Sequence, residues 1–229
     1  MKRFLRFLIG GAAVLALASP LAAQTSSGML NSLEVKRLVS EGTPAANATL
    51  AKHFAALADK YTTEAATHTA MAGAYSGNPN HSLGANMGVH CKKLAELATA
   101  SANTAREMVS YHKQLAAGTA PESPAGAAAF DAGKGAPAPT PDDVKKLAAA
   151  AHTPADHHGL EEYFLTLAKQ KTAEANEHAN MANTFRVSGQ RRGSEFAATH
   201  CDSLAKQARD AAKEATASAE LHRQLANVG

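Results

Sequence analysis

Glutamate, histidine, methionine and cysteine recur at fixed spacing in two parts of the chain. In each part a histidine follows a glutamate by four residues, a methionine follows three later, and a histidine–cysteine pair comes further on. These side chains supply carboxylate, imidazole, thioether and thiol groups, a mixture that binds transition metal ions. The predicted metal ligands are Glu64, His68, Met71, His90 and Cys91 in the first part, and Glu174, His178, Met181, His200 and Cys201 in the second.

The ligand types narrow the metal that we expect as cofactor. Imidazole binds Zn, Cu, Ni and Fe, and sulfur adds a preference for soft ions such as Cu(I), so Cu or Zn is favoured over Ni or Fe. The spacing differs from the Glu-x-x-His motif of di-iron bundles, and no His-Glu-x-x-His motif is present. The alternative is structural: the histidines are buried, neutral and hydrogen-bonded to Glu64, Glu174 or each other.

The two cysteines occupy matched positions, a term used here for residues whose numbers differ by 110. In an exported protein such a pair can form a disulfide. A Cys91–Cys201 bond would close a loop of about 110 residues and stabilise the fold by about 4 kcal/mol. If the hairpins pack around a two-fold axis parallel to the helices, matched residues can meet near that axis. The other interpretations keep both cysteines as thiolate ligands beside His90 and His200, or as inert buried thiols.

A second set of histidines lies near the ends of the helices. His112 and His222 are matched, and the start of the preceding long helix places Asp156 and His157 opposite His222. These three residues could bind Zn or Cu, although a histidine in a last helical turn is also stabilised by the helix dipole. Three further histidines lack a matched histidine and are predicted to lie on the surface: His53, His81 and His152.

Long helices must position these groups. Thr43-Pro44 and Thr153-Pro154 predict helix starts, while Gly77-Asn78-Pro79 and Ser188-Gly189 predict turns. The stripe in the first helix alternates steps of four and three: Leu50, Phe54, Leu57, Tyr61, Glu64, His68, Met71 and Tyr75. The returning helix has the same period through Met87, His90, Leu94, Leu97, Ser101, Thr104, Met108, Tyr111 and Leu115. Helices of about 30 residues and about 45 Å follow, with His68 facing His90.

The constant offset of 110 indicates a tandem duplication, which persists over about 80 residues. We therefore predict an all-α fold in which two tandem helical hairpins form a four-helix bundle, each preceded by a short helix. Alanine, which favours helix, supplies 54 of the 229 residues. The predicted units are the first hairpin repeat at 24–117, a Pro/Gly/Ala-rich linker at 118–141 and the second repeat at 142–229.

The first 23 residues have the features of a secretory signal peptide: a basic start, an apolar run and small residues at the end. Lys2, Arg3 and Arg6 account for the whole net charge of +3, because the other 20 basic residues balance 20 acidic ones. A neutral body lacks the basic face that a nucleic-acid partner requires. We expect a periplasmic or secreted protein with no membrane span after signal cleavage.

These features lead to two functional hypotheses. The first is a non-enzymatic, exported bundle that binds a transition metal ion for storage, buffering or delivery. The second is a structural or interaction module of the cell envelope, with a buried His–Glu network and a Cys91–Cys201 disulfide. The sequence contains no nucleophile elbow, phosphate loop, dinucleotide fingerprint or haem-attachment motif, so we do not expect an enzyme. No protein partner is predicted.

Overall fold

The computed structural model describes residues 29–77, 81–119, 141–188 and 194–228. Within these ranges the chain forms helices and no strand, which confirms the all-α prediction. The six helices are α1 (Ser32–Glu41), α2 (Pro44–Gly77), α3 (His81–Ala116), α4 (Pro141–Ala150), α5 (Pro154–Val187) and α6 (Ser194–Val228). The four long helices have 34 to 36 residues, so each is about 51–54 Å long and exceeds the predicted length.

Local sequence signals fix where the helices begin and end. The Thr153 hydroxyl accepts from the backbone N–H of Asp156, whose carboxylate accepts in return from the backbone of Thr153. At the matched start of α2, the hydroxyl of Thr43 accepts from the N–H of Ala46 over 3.1 Å. The short helix α1 ends at Gly42, whose φ of 58° is strained for other residues. The predicted helix starts are therefore present.

The long helices form a four-helix bundle in which neighbours run antiparallel. α2 packs against α3, α5 packs against α6, and the two pairs meet through α3 and α6. Contacts between α2 and α5 join Lys60 to Glu174 and Glu64 to Lys171, so numbers rise on one helix as they fall on the other. The end of α2 consequently lies beside the end of α6, where Tyr75 contacts His222. This arrangement excludes a two-fold axis parallel to the helices.

The two helix pairs face each other in two places, where α3 lies against α6 and where α2 faces α5, and the side chains in these two places differ. Alanines on α3 and α6, including Ala98, Ala102, Ala208 and Ala211, are buried and let the two backbones approach closely. No Cα pair between the described residues of α2 and α5 lies within 8 Å. Long polar side chains lie in the middle of that wider space, and the short helices α1 and α4 each contact both α2 and α5. The helices thus pack closely on the side of α3 and α6, while polar side chains and the two short helices join α2 to α5 on the other side.

Two apolar clusters form the core, and both helix pairs contribute to each of them. The first contains Phe54, Met108 and Cys201, and the second contains Met71, Cys91 and Phe164. None of the helices in the described ranges has the length and apolar character needed to span a membrane. The predicted signal peptide and residues 120–140 of the predicted linker lie outside the described residues.

Candidate functional site

A buried group of polar side chains occupies the space between α2 and α5. We call it the central network. Most of its members stand on the stripes of the two helices, and several of them have less than one tenth of their surface exposed. Its members are Lys60, Tyr61, Glu64 and His68 from α2, and Lys171, Glu174 and His178 from α5.

Two ammonium groups and two carboxylates form the core of this network. Lys171, only 6% exposed, donates to Glu64 and to Glu174, the second contact being 3.2 Å long. Lys60 donates to Glu174 over 2.9 Å and lies 3.8 Å from Glu64. The four charges sum to zero. The ammonium groups therefore occupy the place between the carboxylates that a metal ion would need.

Tyr61 and His178 extend the network toward the first apolar cluster. The Tyr61 hydroxyl lies 2.8 Å from Nε2 of His178, and the same nitrogen is 3.9 Å from Oε1 of Glu174. The ammonium of Lys171 lies 5.1 Å from the centre of the Tyr61 ring, a cation–π distance. Burial, followed by the charge of Glu174, raises the pKa of Tyr61 well above its ordinary value, so the phenol stays protonated.

Glu174 is the carboxylate on which the network depends most. Burial alone would raise its pKa, yet the nearby imidazole of His178, 3.9 Å away, and the charges of Lys171 and Lys60 hold that pKa well below its ordinary value. His68 is 2% exposed, and its pKa is lowered to about 4 by burial and then by Lys171. The carboxylate is therefore ionised and the imidazole of His68 neutral at pH 7.

The ten predicted metal ligands fall in three kinds of environment. Four of them belong to the central network: Glu64, His68, Glu174 and His178. His90 and His200 instead pair across α3 and α6 with Glu214 and Glu107. The remaining four lie in the apolar clusters: Met71 with Cys91, and Met181 with Cys201. Among the described residues, no three His, Cys, Asp or Glu side chains are grouped so that they could hold a metal ion.

The predicted disulfide between Cys91 and Cys201 is wrong for this structure. Both cysteines are free and fully buried, and they lie in different apolar clusters. The physical reason is the antiparallel packing of the two helix pairs, which separates matched residues that lie away from the middle of the bundle. Burial raises the pKa of Cys91 to about 12 and also raises the pKa of Cys201.

We therefore expect both thiols to be unreactive in the folded protein. A maleimide reagent at pH 7.5 should label neither Cys91 nor Cys201 until a denaturant is added, because each thiol is protonated and inaccessible. Mass spectrometry after short labelling measures this directly. Labelling within minutes without denaturant, or a melting temperature that falls on reduction, would contradict the free and buried assignment.

Sequence reasoning missed the three residues that complete the central network. Lys60 and Lys171 supply its positive charge, and Tyr61, predicted only as an apolar stripe residue, bonds to His178. A signal for Lys171 was present, since this lysine stands at the position matched to Tyr61 and so on the buried stripe. A lysine on such a stripe indicates a buried ionic partner.

The second set of histidines forms a cluster at each end of the bundle. At one end, His222 lies with Nδ1 3.1 Å from Nδ1 of His157 and with Nε2 2.8 Å from the Tyr75 hydroxyl. At the other end, His112 lies 2.9 Å from Oδ1 of Asn47 and packs against Phe185. Asn47 is matched to His157, and Tyr75 is matched to Phe185. Equivalent positions therefore surround the histidine at both ends, but different side chains occupy these positions. The predicted proximity of His157 and His222 is confirmed.

The unmatched histidines do not all lie on the surface. His53 is buried, and its Nδ1 accepts from the backbone N–H of Leu30 over 3.0 Å, so the surface prediction was wrong for this residue. The segment before α1 covers it, which the helical pattern alone could not indicate. His152 is exposed as predicted. The side chain of His81 lies outside the described residues.

Comparison with known proteins yields no relative. No protein-family model, curated protein or solved structure matches the chain.

Proposed function

We propose that this chain is an exported, non-enzymatic structural module in which two duplicated helix pairs are held together by the central network. The observation that carries the proposal is charge balance. Glu64 and Glu174 are neutralised by Lys60 and Lys171 in a mostly buried space. A divalent ion added between the carboxylates would leave two uncompensated positive charges there, at a cost of several kcal/mol.

The network also favours one alignment of the helix pairs over others. Sliding α5 along α2 by one helical turn would displace the Lys171 ammonium by about 5.4 Å relative to the Glu64 carboxylate, with which it is now in contact. The buried charges would then have no partners. Apolar and alanine contacts tolerate such a shift much better, because they are not directional. We therefore assign to the central network the role of fixing the register between the two helix pairs.

Transition-metal binding by the central residues is the second candidate. It is favoured by three buried atoms that have no hydrogen-bond partner: Nδ1 of His68, Nδ1 of His178 and Oε1 of Glu174. Such a metal would have to displace Lys171, whose side chain is 7% exposed and has no simple route to solvent. The structural role needs no such rearrangement and is the better supported of the two.

Cleavage of the predicted linker tests the structural role. With a protease site placed within residues 120–140, the two halves of the wild-type protein should stay together after cleavage and elute as one particle. The halves of the Lys171→Met variant should separate at concentrations more than about 100-fold higher, because this variant loses a buried ionic partner. The control variant is Lys169→Met, which removes an exposed lysine from the same helix.

The cleaved control should behave as the cleaved wild type does. If the wild-type halves separate at micromolar concentration, or if Lys171→Met stays together as firmly as Lys169→Met, the central network does not hold the helix pairs together. Size-exclusion chromatography coupled to light scattering distinguishes these outcomes.

A further inference from the structure

We propose that His157 and His222 form a binding site for Zn²⁺ or a copper ion at the end of the bundle where α5 begins and α6 ends. Their facing Nδ1 atoms lie 3.1 Å apart. In a tetrahedral site with metal–nitrogen bonds of 2.0–2.1 Å, neighbouring nitrogen ligands are about 3.3 Å apart. The spacing of the two nitrogens therefore already suits one ion. The rings, whose centres lie 5.4 Å apart, must still turn so that both Nδ1 lone pairs point to it, and the partly buried His157 is the ring that can do so.

One of the two ligands is already held in place. His222 is fully buried, stacks on Phe164 with ring centres 5.7 Å apart, and has the Tyr75 hydroxyl 2.8 Å from its Nε2 atom. A partner on the second ring nitrogen sets the tautomer and orientation of a ligating histidine. With the metal on Nδ1, the proton of His222 resides on Nε2 and is donated to the Tyr75 oxygen. His157 likewise keeps its proton on Nε2, so neither imidazole loses a proton overall.

The other side of the site is open to solvent. His157 is only partly buried, which provides a path for the ion, and His152 is an exposed near neighbour of His157. Water from this side can complete the coordination. Asp156 is engaged by the Thr153 cap and would have to leave it to become a ligand.

The opposite end of the bundle supplies a natural control. There the matched histidine is His112, but Asn47 stands where the other end has His157, and Phe185 stands where it has Tyr75. Phe54 stacks on His112 much as Phe164 stacks on His222. The two ends therefore share one frame, and only one of them offers a second imidazole.

Calorimetric titration of the mature chain with Zn²⁺, and separately with Cu²⁺, tests this site. The wild type should bind one equivalent of at least one of these ions, and His157→Asn, which copies the opposite end, should lose it. Tyr75→Phe should weaken binding by about 10-fold, because it removes the partner of Nε2. The Asn47→His, Phe185→Tyr double variant should gain a second equivalent.

Two further experiments, a titration of a second variant and an NMR measurement, identify which histidines bind the ion. The His68→Gln, His178→Gln double variant, with its helix content unchanged by circular dichroism, should keep the bound equivalent, whereas loss of the ion by this folded variant would assign the ion to the central network instead. Binding should shift the imidazole NMR signals of His157 and His222. No binding of either ion by the wild type, or unchanged binding by a folded His157→Asn variant, would overturn the proposal without affecting the role of the central network.

Discussion

Replacing Lys171 by methionine is expected to lower the free energy of unfolding by about 3–5 kcal/mol. Methionine keeps much of the length of lysine, so the change removes charge without creating a large cavity. Glu64 and Glu174 then share only Lys60, whose side chain is 37% exposed, and one buried negative charge is left uncompensated. Urea unfolding at pH 7.5, followed by circular dichroism, measures the loss.

Two control variants, each of which also replaces a lysine by methionine, show whether the burial of Lys171 causes the loss of stability. Lys169→Met removes an exposed lysine two residues away and should change the free energy of unfolding by less than about 0.5 kcal/mol. Lys60→Met should cost less than Lys171→Met, because the ammonium of Lys60 is closer to solvent. A loss below about 1 kcal/mol for Lys171→Met would contradict a buried network that stabilises the bundle.

Mild acid is expected to unfold the protein. Burial lowers the pKa of His53 and of His68 to about 4, and that of His112 to about 3. Below pH 6.5 the unfolded chain takes up protons on these residues that the folded chain does not, so stability falls as the pH falls. At pH 5 each histidine costs on the order of 2 kcal/mol, and the three together roughly 6 kcal/mol. Typical domains are stable by only about 5–15 kcal/mol.

The pH dependence of helix content measures this effect. Ellipticity at 222 nm should fall cooperatively between pH 6.5 and pH 4, and the free energy of unfolding should already decline between pH 7 and pH 5. His158→Gln, which alters an exposed histidine, should leave the midpoint unchanged. Constant stability from pH 7 to pH 5 would show that His53, His68 and His112 are accessible to protons in the folded state.

The helices and their caps were predictable because their signals are local. Alternating steps of four and three place apolar residues on one side of a helix, and Thr153 with Asp156 closes the capping box within four residues. The direction of the second helix pair was not predictable, since the sequence between the pairs permits either orientation. Contacts such as Lys171 with Glu64 and Tyr75 with His222 establish the direction, and they join residues more than 100 positions apart.

The candidate site was predicted in part for a related reason. The stripe correctly marked Glu64, His68, Glu174 and His178 as inward-facing groups. It could not indicate which neighbouring helix each one faces, because in a four-helix bundle successive stripe positions face different partners. Burial and then the charge of Lys171 on α5 lower the pKa of His68, whereas His90 pairs with Glu214 on α6. In the described part of the chain, neither histidine belongs to a group of three or more His, Cys, Asp or Glu side chains that could hold a metal ion.

The most direct test of the central network is a double-mutant cycle between Lys171 and Glu174. Each single change, Lys171→Met or Glu174→Gln, leaves one buried charge unbalanced, whereas the double variant restores neutrality through Glu64 and Lys60. The double variant should therefore lose about 2 kcal/mol less than the sum of the two single losses. Losses that add to within about 0.5 kcal/mol would contradict charge balance as the basis of the network.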